Sequence, residues 1–360
     1  MPSKGRTNPL ADLALARLTS ARKESDARHA RDLTRRQNAP TILQPNEVSG
    51  EYDAARLLTT TLHGEQRPLD HKDLRAFQQS VSRLKKSFKG GISAQQVIDL
   101  SLAVDRQRAN DEIRMAVPVY IRGNLVHFVT NAGPESDRSR HHVHVSFLDF
   151  EAAVAASPND KAKIGRLVCK GRLLFDCDCG RHTFWYRYIA TIGKYNWGRA
   201  ETGYPKIRNP RLYGVACKHV LRTMHVILKD KGAQLRIADS VLGMREVLDM
   251  RKLATTRLKA TDVKEMAGAQ LRKRKSTSNL KTSAQKQQDT ALRKAREQMK
   301  KAANEAASGQ AQKVAPATSP PAAKSARART VKSVERHARS LLELGAITQE
   351  QYDTIVKGAA

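Results

Sequence analysis

Four cysteines in a chain of 360 residues all fall between positions 169 and 217, and three of them join a histidine in two short pairs, Cys177-x-Cys179 and Cys217-x-His219. Two donor pairs separated by 37 residues demand that distant segments close on one point, which constrains the fold more than any apolar run in the chain. Three sulfurs and one ring nitrogen make a complete tetrahedral set for Zn2+ in its structural role, because that ion prefers S and N donors and needs four of them. Cysteines gathered in this way do not read as the disulfide framework of a secreted scaffold. Cys169 lies outside the pattern and reads as a small buried apolar side chain, while His182, three residues after Cys179, stays open as an alternative fourth ligand.

The local pattern supplies elements to carry these donors. Leu173 to Asp176 reads as a strand, Asp178 and Gly180 as turn residues, and Phe184 to Ile192 as a returning strand. After the second pair, Val220, Leu221, Met224, Ile227 and Leu228 recur at helix-face spacing, so the expected order is strand, strand, helix. Upstream, Leu74, Phe77, Val81, Leu84 and Phe88 lie on one face of a helix over 71–88, which Gly90 and Gly91 end. Ser93 and Gln96 form a capping box for a second helix to about Leu102. Ala116 to Ile121 and Leu125 to Thr130 read as a hairpin turning at Gly123-Asn124, and His142 to Leu148 as the next antiparallel strand. His142 and His144 share a face of that strand; with no further donor beside them in sequence they read as ordinary strand surface rather than a metal site.

The expected fold class is therefore α+β: a small antiparallel sheet with helices, a ββα zinc finger within it, and helical or disordered basic extensions. The domain reading is an N-terminal helical arm over 1–69, an α+β core over 70–245 holding the finger at 166–230, a basic helical or disordered linker over 246–331, and a C-terminal helical hairpin over 332–360.

The C-x-C…C-x-H spacing and the strand, strand, helix order resemble the SWIM-type zinc finger, a ββα module of nucleic-acid and protein-binding contexts. The resemblance covers about 50 residues and implies ligand roles for Cys177, Cys179, Cys217 and His219. The gap between the pairs is longer than in many members, implying an inserted loop. The runs FWYRYIATIG, YPKIRNP and GVACKHVLR resemble SWIM-bearing virion proteins of tailed bacteriophages, which implies a non-catalytic particle component of the virion or host cytoplasm. Without a phage origin, the expected location is cytoplasmic. LLELGAITQEQYDTIVKG resembles the short C-terminal helical modules called SHOCT, implying a docking or oligomerisation tail.

Charge points to the partner. The chain carries 65 Lys and Arg against 35 Asp and Glu, a formal charge of +30, which favours a polyanion. Residues 251–332 hold 21 basic and five acidic side chains and read as a solvated polycation. Between the ligand pairs, Arg181, Arg187, Lys194, Arg199, Lys206, Arg208 and Arg211 face one acid, Glu201, and eight of the 17 aromatics are interleaved with them. Rings among guanidinium groups suit phosphates and exposed bases, although strand-borne rings also fill cores. With Arg272, Lys273, Arg274 and Lys275, these cations are the expected nucleic-acid contacts, DNA being the expected partner and other virion or assembly proteins further ones. A protein-docking module with a purely structural zinc is the competing reading, its basic tail meeting acidic protein surfaces, and a nuclease or recombinase subunit is a third. No phosphate-binding loop, HExxH helix or nucleophile elbow occurs, so no enzyme and no small-molecule substrate are expected. No apolar run approaches the ~20 residues of a membrane span.

Overall fold

The computed structural model describes residues 39–88, 90–156, 160–246, 255–273, 279–311 and 349–359, together with scattered positions between 20 and 36 and positions 335, 339 and 342. Most of the first 38 residues of the N-terminal arm read over 1–69, and most of positions 332–348 of the C-terminal hairpin, lie outside the described residues. The chain divides into two compact units, residues 1–280 and 281–360.

In the first unit, a two-stranded ribbon of β1 (Thr59–Thr60) and β2 (Arg67–Pro68) leads into helix α1 (His71–Ser87). Asp70 caps it: its carboxylate accepts from the Asp73 amide, and the Asp73 carboxylate accepts from the Asp70 amide. Arg67 grips the buried Asp73 with two bonds, at 2.9 and 2.7 Å. The periodic face read from sequence is the buried one, with Leu74, Phe77 and Leu84 in the core. Strand β3 (Ile92–Ser93) follows, and Ser93 and Gln96 form the expected reciprocal cap on α2 (Ala94–Leu100). Helix α3 (Ala103–Glu112) completes this helical layer.

The meander β4 (Ala116–Arg122), β5 (Leu125–Asn131) and β6 (Arg140–Phe147) is antiparallel, as the alternation predicts. Gly123 takes the left-handed conformation that its tight turn needs, at φ +55°. Helices α4 (Phe150–Ala156) and α5 (Lys161–Lys170) precede β7 (Arg172–Cys177), which returns beside β6. The sheet order is β3-β7-β6-β5-β4-β8. One face carries Val126, Phe128, Val143, Val145, Leu173 and Phe175, all buried. Helix α7 (Lys218–Lys229) packs there with Val220, Leu221, Met224 and Ile227, whereas the short α6 (Arg187–Ile192) lies between β7 and α7 in sequence. Helix α8 (Lys231–Glu246) crosses α5 at Gly165, where an added Cβ would lie 2.5 Å from the Gln234 carbonyl oxygen.

The folded unit runs past the basic boundary read at 246. Strand β8 (Thr255–Arg257) pairs with β4, and in α9 (Ala260–Arg272) the buried Gln270 bonds to both backbone groups of Ala116, accepting at 2.8 Å and donating at 3.0 Å. Leu280 is buried, its amide donating to Asn110. Three strand residues and one glutamine carry no apolar periodicity, so this edge shows no core signature in the sequence. The second unit contains the exposed helices α10 (Ser283–Ala311) and α11 (Gln349–Ala359).

Candidate metal centre

The sheet and one helix bring the four donors together. Cys177 ends β7, and the Asp178 amide extends the ladder by donating to His142 O at 3.2 Å, which leaves Cys179 facing the same side as Cys177. Cys217 is the N-cap of α7 and His219 stands in its first turn. The ligand atoms of Cys177, Cys179, Cys217 and His219 all lie within 4.8 Å of one another, and the four residues are 0 to 4% exposed. None of the cysteines is in a disulfide.

The donor chemistry fits a cation. Burial pushes the Cys177 and Cys217 thiols up, whereas hydrogen bonds from those two thiols pull Cys179 well below its ordinary value. Three thiolates held this close together need a positive ion among them. Neither ring nitrogen of His219 has a hydrogen-bond partner of proper geometry although the ring is buried, and a metal bond would satisfy one of the two. The surroundings are ordered. The His182 amide donates to Cys179 Sγ at 3.3 Å. The His141 ring packs 4.2 Å from that of His219, and His141 Nδ1 meets Asp178 Oδ1 at 3.0 Å. Such outer partners hold ligands in place.

Several expectations change here. The segment Phe184–Ile192 is helical: a π turn over His182–Tyr186 runs into α6. The order around the donors is strand, helix, helix, so the ββα arrangement is absent. Tyr186, Ile189 and Ala190 are buried at a helical step, a period masked by β-favouring aromatic and branched residues. What pairs with β7 instead is the turn around Asn196: Phe175 N donates to Tyr195 O, and Trp197 N to Phe175 O, both at 3.0 Å. His182 stands outside the donor cluster, its Nε2 3.0 Å from Asp176 Oδ1. Cys169 is buried core, its thiol pushed up to about 12 by burial.

Three of the insert's seven cations are held by internal partners. Arg181 grips Asp105 with two bonds of 3.0 Å and lies 3.6 Å over the Trp185 ring. Arg187 holds Asp176, and the buried Lys206 donates to Thr41 O at 2.7 Å. Arg199 is half-buried; Lys194, Arg208 and Arg211 are exposed. Four of the insert's rings, Tyr186, Tyr188, Tyr195 and Tyr204, are core, while Phe184 is 63% exposed. Arg272 is exposed, Lys273 lies 3.3 Å from Asp230, and Arg274 and Lys275 fall outside the described residues.

Sequence reasoning missed two clusters. Arg166, Lys170, Lys229 and Lys231 line one groove of about 330 Å3 between α5, α7 and α8; the i, i+4 spacing of the first two was the only linear sign. His127, His142, His144 and Trp197 form a ring cluster on the open sheet face, assembled from two strands and a loop. Comparison with family models, curated proteins and solved structures returns no match.

Proposed function

We propose that this chain is a non-catalytic nucleic-acid-binding protein whose fold is locked by one structural zinc ion. The observation that carries the reading is the buried Cys177, Cys179, Cys217 and His219 cluster. Three sulfurs and an imidazole select zinc over the hard cations, which take oxygen donors. With all four positions filled by protein, no site remains for an activated water, so the ion would stabilise and not catalyse. The resemblance to SWIM-type fingers then rests on the ligand spacing and the placement of Cys217 and His219 at the start of α7, without the paired strands.

The nucleic-acid half of the reading rests on charge: +30 over the chain, with exposed cations on both units. Lys and Arg meeting phosphates release counterions, so binding should weaken steeply with salt. The test is a salt titration of DNA binding by the full chain. A linear fall of log K with log salt supports the reading; absent or salt-insensitive binding overturns it. A place in a phage particle is the setting that the virion-protein resemblance favours, and mass spectrometry of purified particles tests it.

A further inference from the structure

The sheet has two unlike faces. Opposite the face covered by α7, the register aligns residues of β8, β4, β5, β6 and β7 into a lateral row: Arg257 beside Tyr120, Tyr120 beside His127, His127 beside His144, and His144 beside Asp176. Trp197 lies against the row, its ring 4.5 Å from that of His144 at 20° between planes. His144 and His127 are stacked at 4.5 Å and 11°, and His127 Nε2 lies 2.9 Å from His142 Nδ1. Burial holds His127 down at about 4 and lowers His144 also, so the half-buried stack of His127, His144 and Trp197 is uncharged near pH 7.

Cations flank the row. Arg122, Arg140 and Arg257 are exposed, and none has a carboxylate partner among the described residues. The acids in and beside the row are paired: Asp176, next to His144, is held by Arg187, and Asp178 pairs with His141 and Arg138. Half-buried rings on an antiparallel sheet face edged by exposed arginines match what an unpaired strand presents, bases with open π-faces and a phosphate every nucleotide. A duplex hides its base faces and has no use for such rings. An acidic peptide would meet the arginines but leave the rings idle.

We infer that the open face of the sheet, along Tyr120, His127, His144 and Trp197, is a binding platform for single-stranded nucleic acid, with Arg122, Arg140 and Arg257 on its phosphates. The inference deepens the nucleic-acid reading and rests on it. Full-length protein is photocrosslinked to a short single-stranded oligodeoxythymidine carrying 5-iodouracil, and the adducts are mapped by mass spectrometry. Adducts are expected on Tyr120, His144 or Trp197. Trp197→Ala and Tyr120→Ala should each weaken binding of the same oligonucleotide roughly tenfold, and Arg140→Ala should reduce the salt slope by about one. Metal content and melting temperature report whether each variant is folded; His144→Gln replaces any that is not. Adducts confined to residues beyond 280, with both ring variants binding within twofold of wild type, overturn the platform and leave the nucleic-acid reading standing. Equal loss of duplex or polyglutamate binding in the ring variants also overturns it. A wild-type chain that binds no nucleic acid overturns both.

Discussion

Replacing Cys217 with serine removes one of four donors and should release the ion. In a tetrahedral site, Zn–S of about 2.3 Å and Zn–N of about 2.0 Å set donor separations of roughly 3.5 to 3.8 Å. The donors here already lie within 4.8 Å of one another, so closing on an ion needs small side-chain movements and no backbone rearrangement. Burial pushes the Cys177 and Cys217 thiols up in the free cluster, so binding them as thiolates expels protons. Affinity should therefore fall as pH drops on the acid side of neutrality, and the stability due to metal is lost with it. A structural zinc contributes on the order of 10 kcal/mol. At about 2 to 4 °C per kcal/mol for a unit of this size, chelation or Cys217→Ser should lower the melting temperature by roughly 20 °C or more. Elemental analysis should give one zinc per chain in wild type and little in the variant, with calorimetry reading the melt. Full zinc occupancy in Cys217→Ser, or a chelated protein melting within a few degrees of the untreated one, would refute the reasoning.

Other outcomes follow from buried polar groups. Asp105 is 1% exposed and holds both Arg181 and the Tyr186 hydroxyl, so Asp105→Ala strands a part-buried guanidinium and should cost about 3 to 5 kcal/mol in urea unfolding. A loss under 1 kcal/mol would mean that the cation finds water instead. Gln270→Leu orphans the Ala116 amide and carbonyl and should cost about 2 kcal/mol or more by the same measurement. A chain ending at residue 250 lacks β8 and α9 and should be degraded by protease faster than one ending at 280; equal resistance would place the boundary of the folded unit before β8. His127 binds its proton near pH 4 when folded but near ~6.5 when unfolded. Protons taken up only by the unfolded chain mean that its contribution is whole above about 6.5 and is lost as pH falls towards 4. The melting difference between wild type and His127→Gln should track that window, and a pH-independent difference would contradict it.

Local periodicity told the truth wherever burial was one-sided. The apolar step of α1, the Ser93 and Gln96 box and the β4–β5 hairpin stand where the pattern puts them because each element buries one side, and the helix after Cys217 stands there too although it is buried on nearly every side. The donor set was legible for a related reason: a metal accepts few residue types, so three cysteines and a histidine in paired spacing leave little choice. The failures share a cause as well. Phe184–Ile192 has strand-like side chains but coils, since Tyr186, Ile189 and Ala190 must all turn inward and Arg181 must reach Asp105, 76 positions away in the chain. Three of the insert's cations, Arg181, Arg187 and Lys206, looked free in one dimension and proved to be spent on Asp105, Asp176 and the Thr41 carbonyl. Composition and spacing determined that this polypeptide gathers four soft donors and carries an excess of positive charge. Which cations remain for a partner, and which rings share a face, was decided only by strand register and long-range ion pairing, interactions between residues that no local pattern connects.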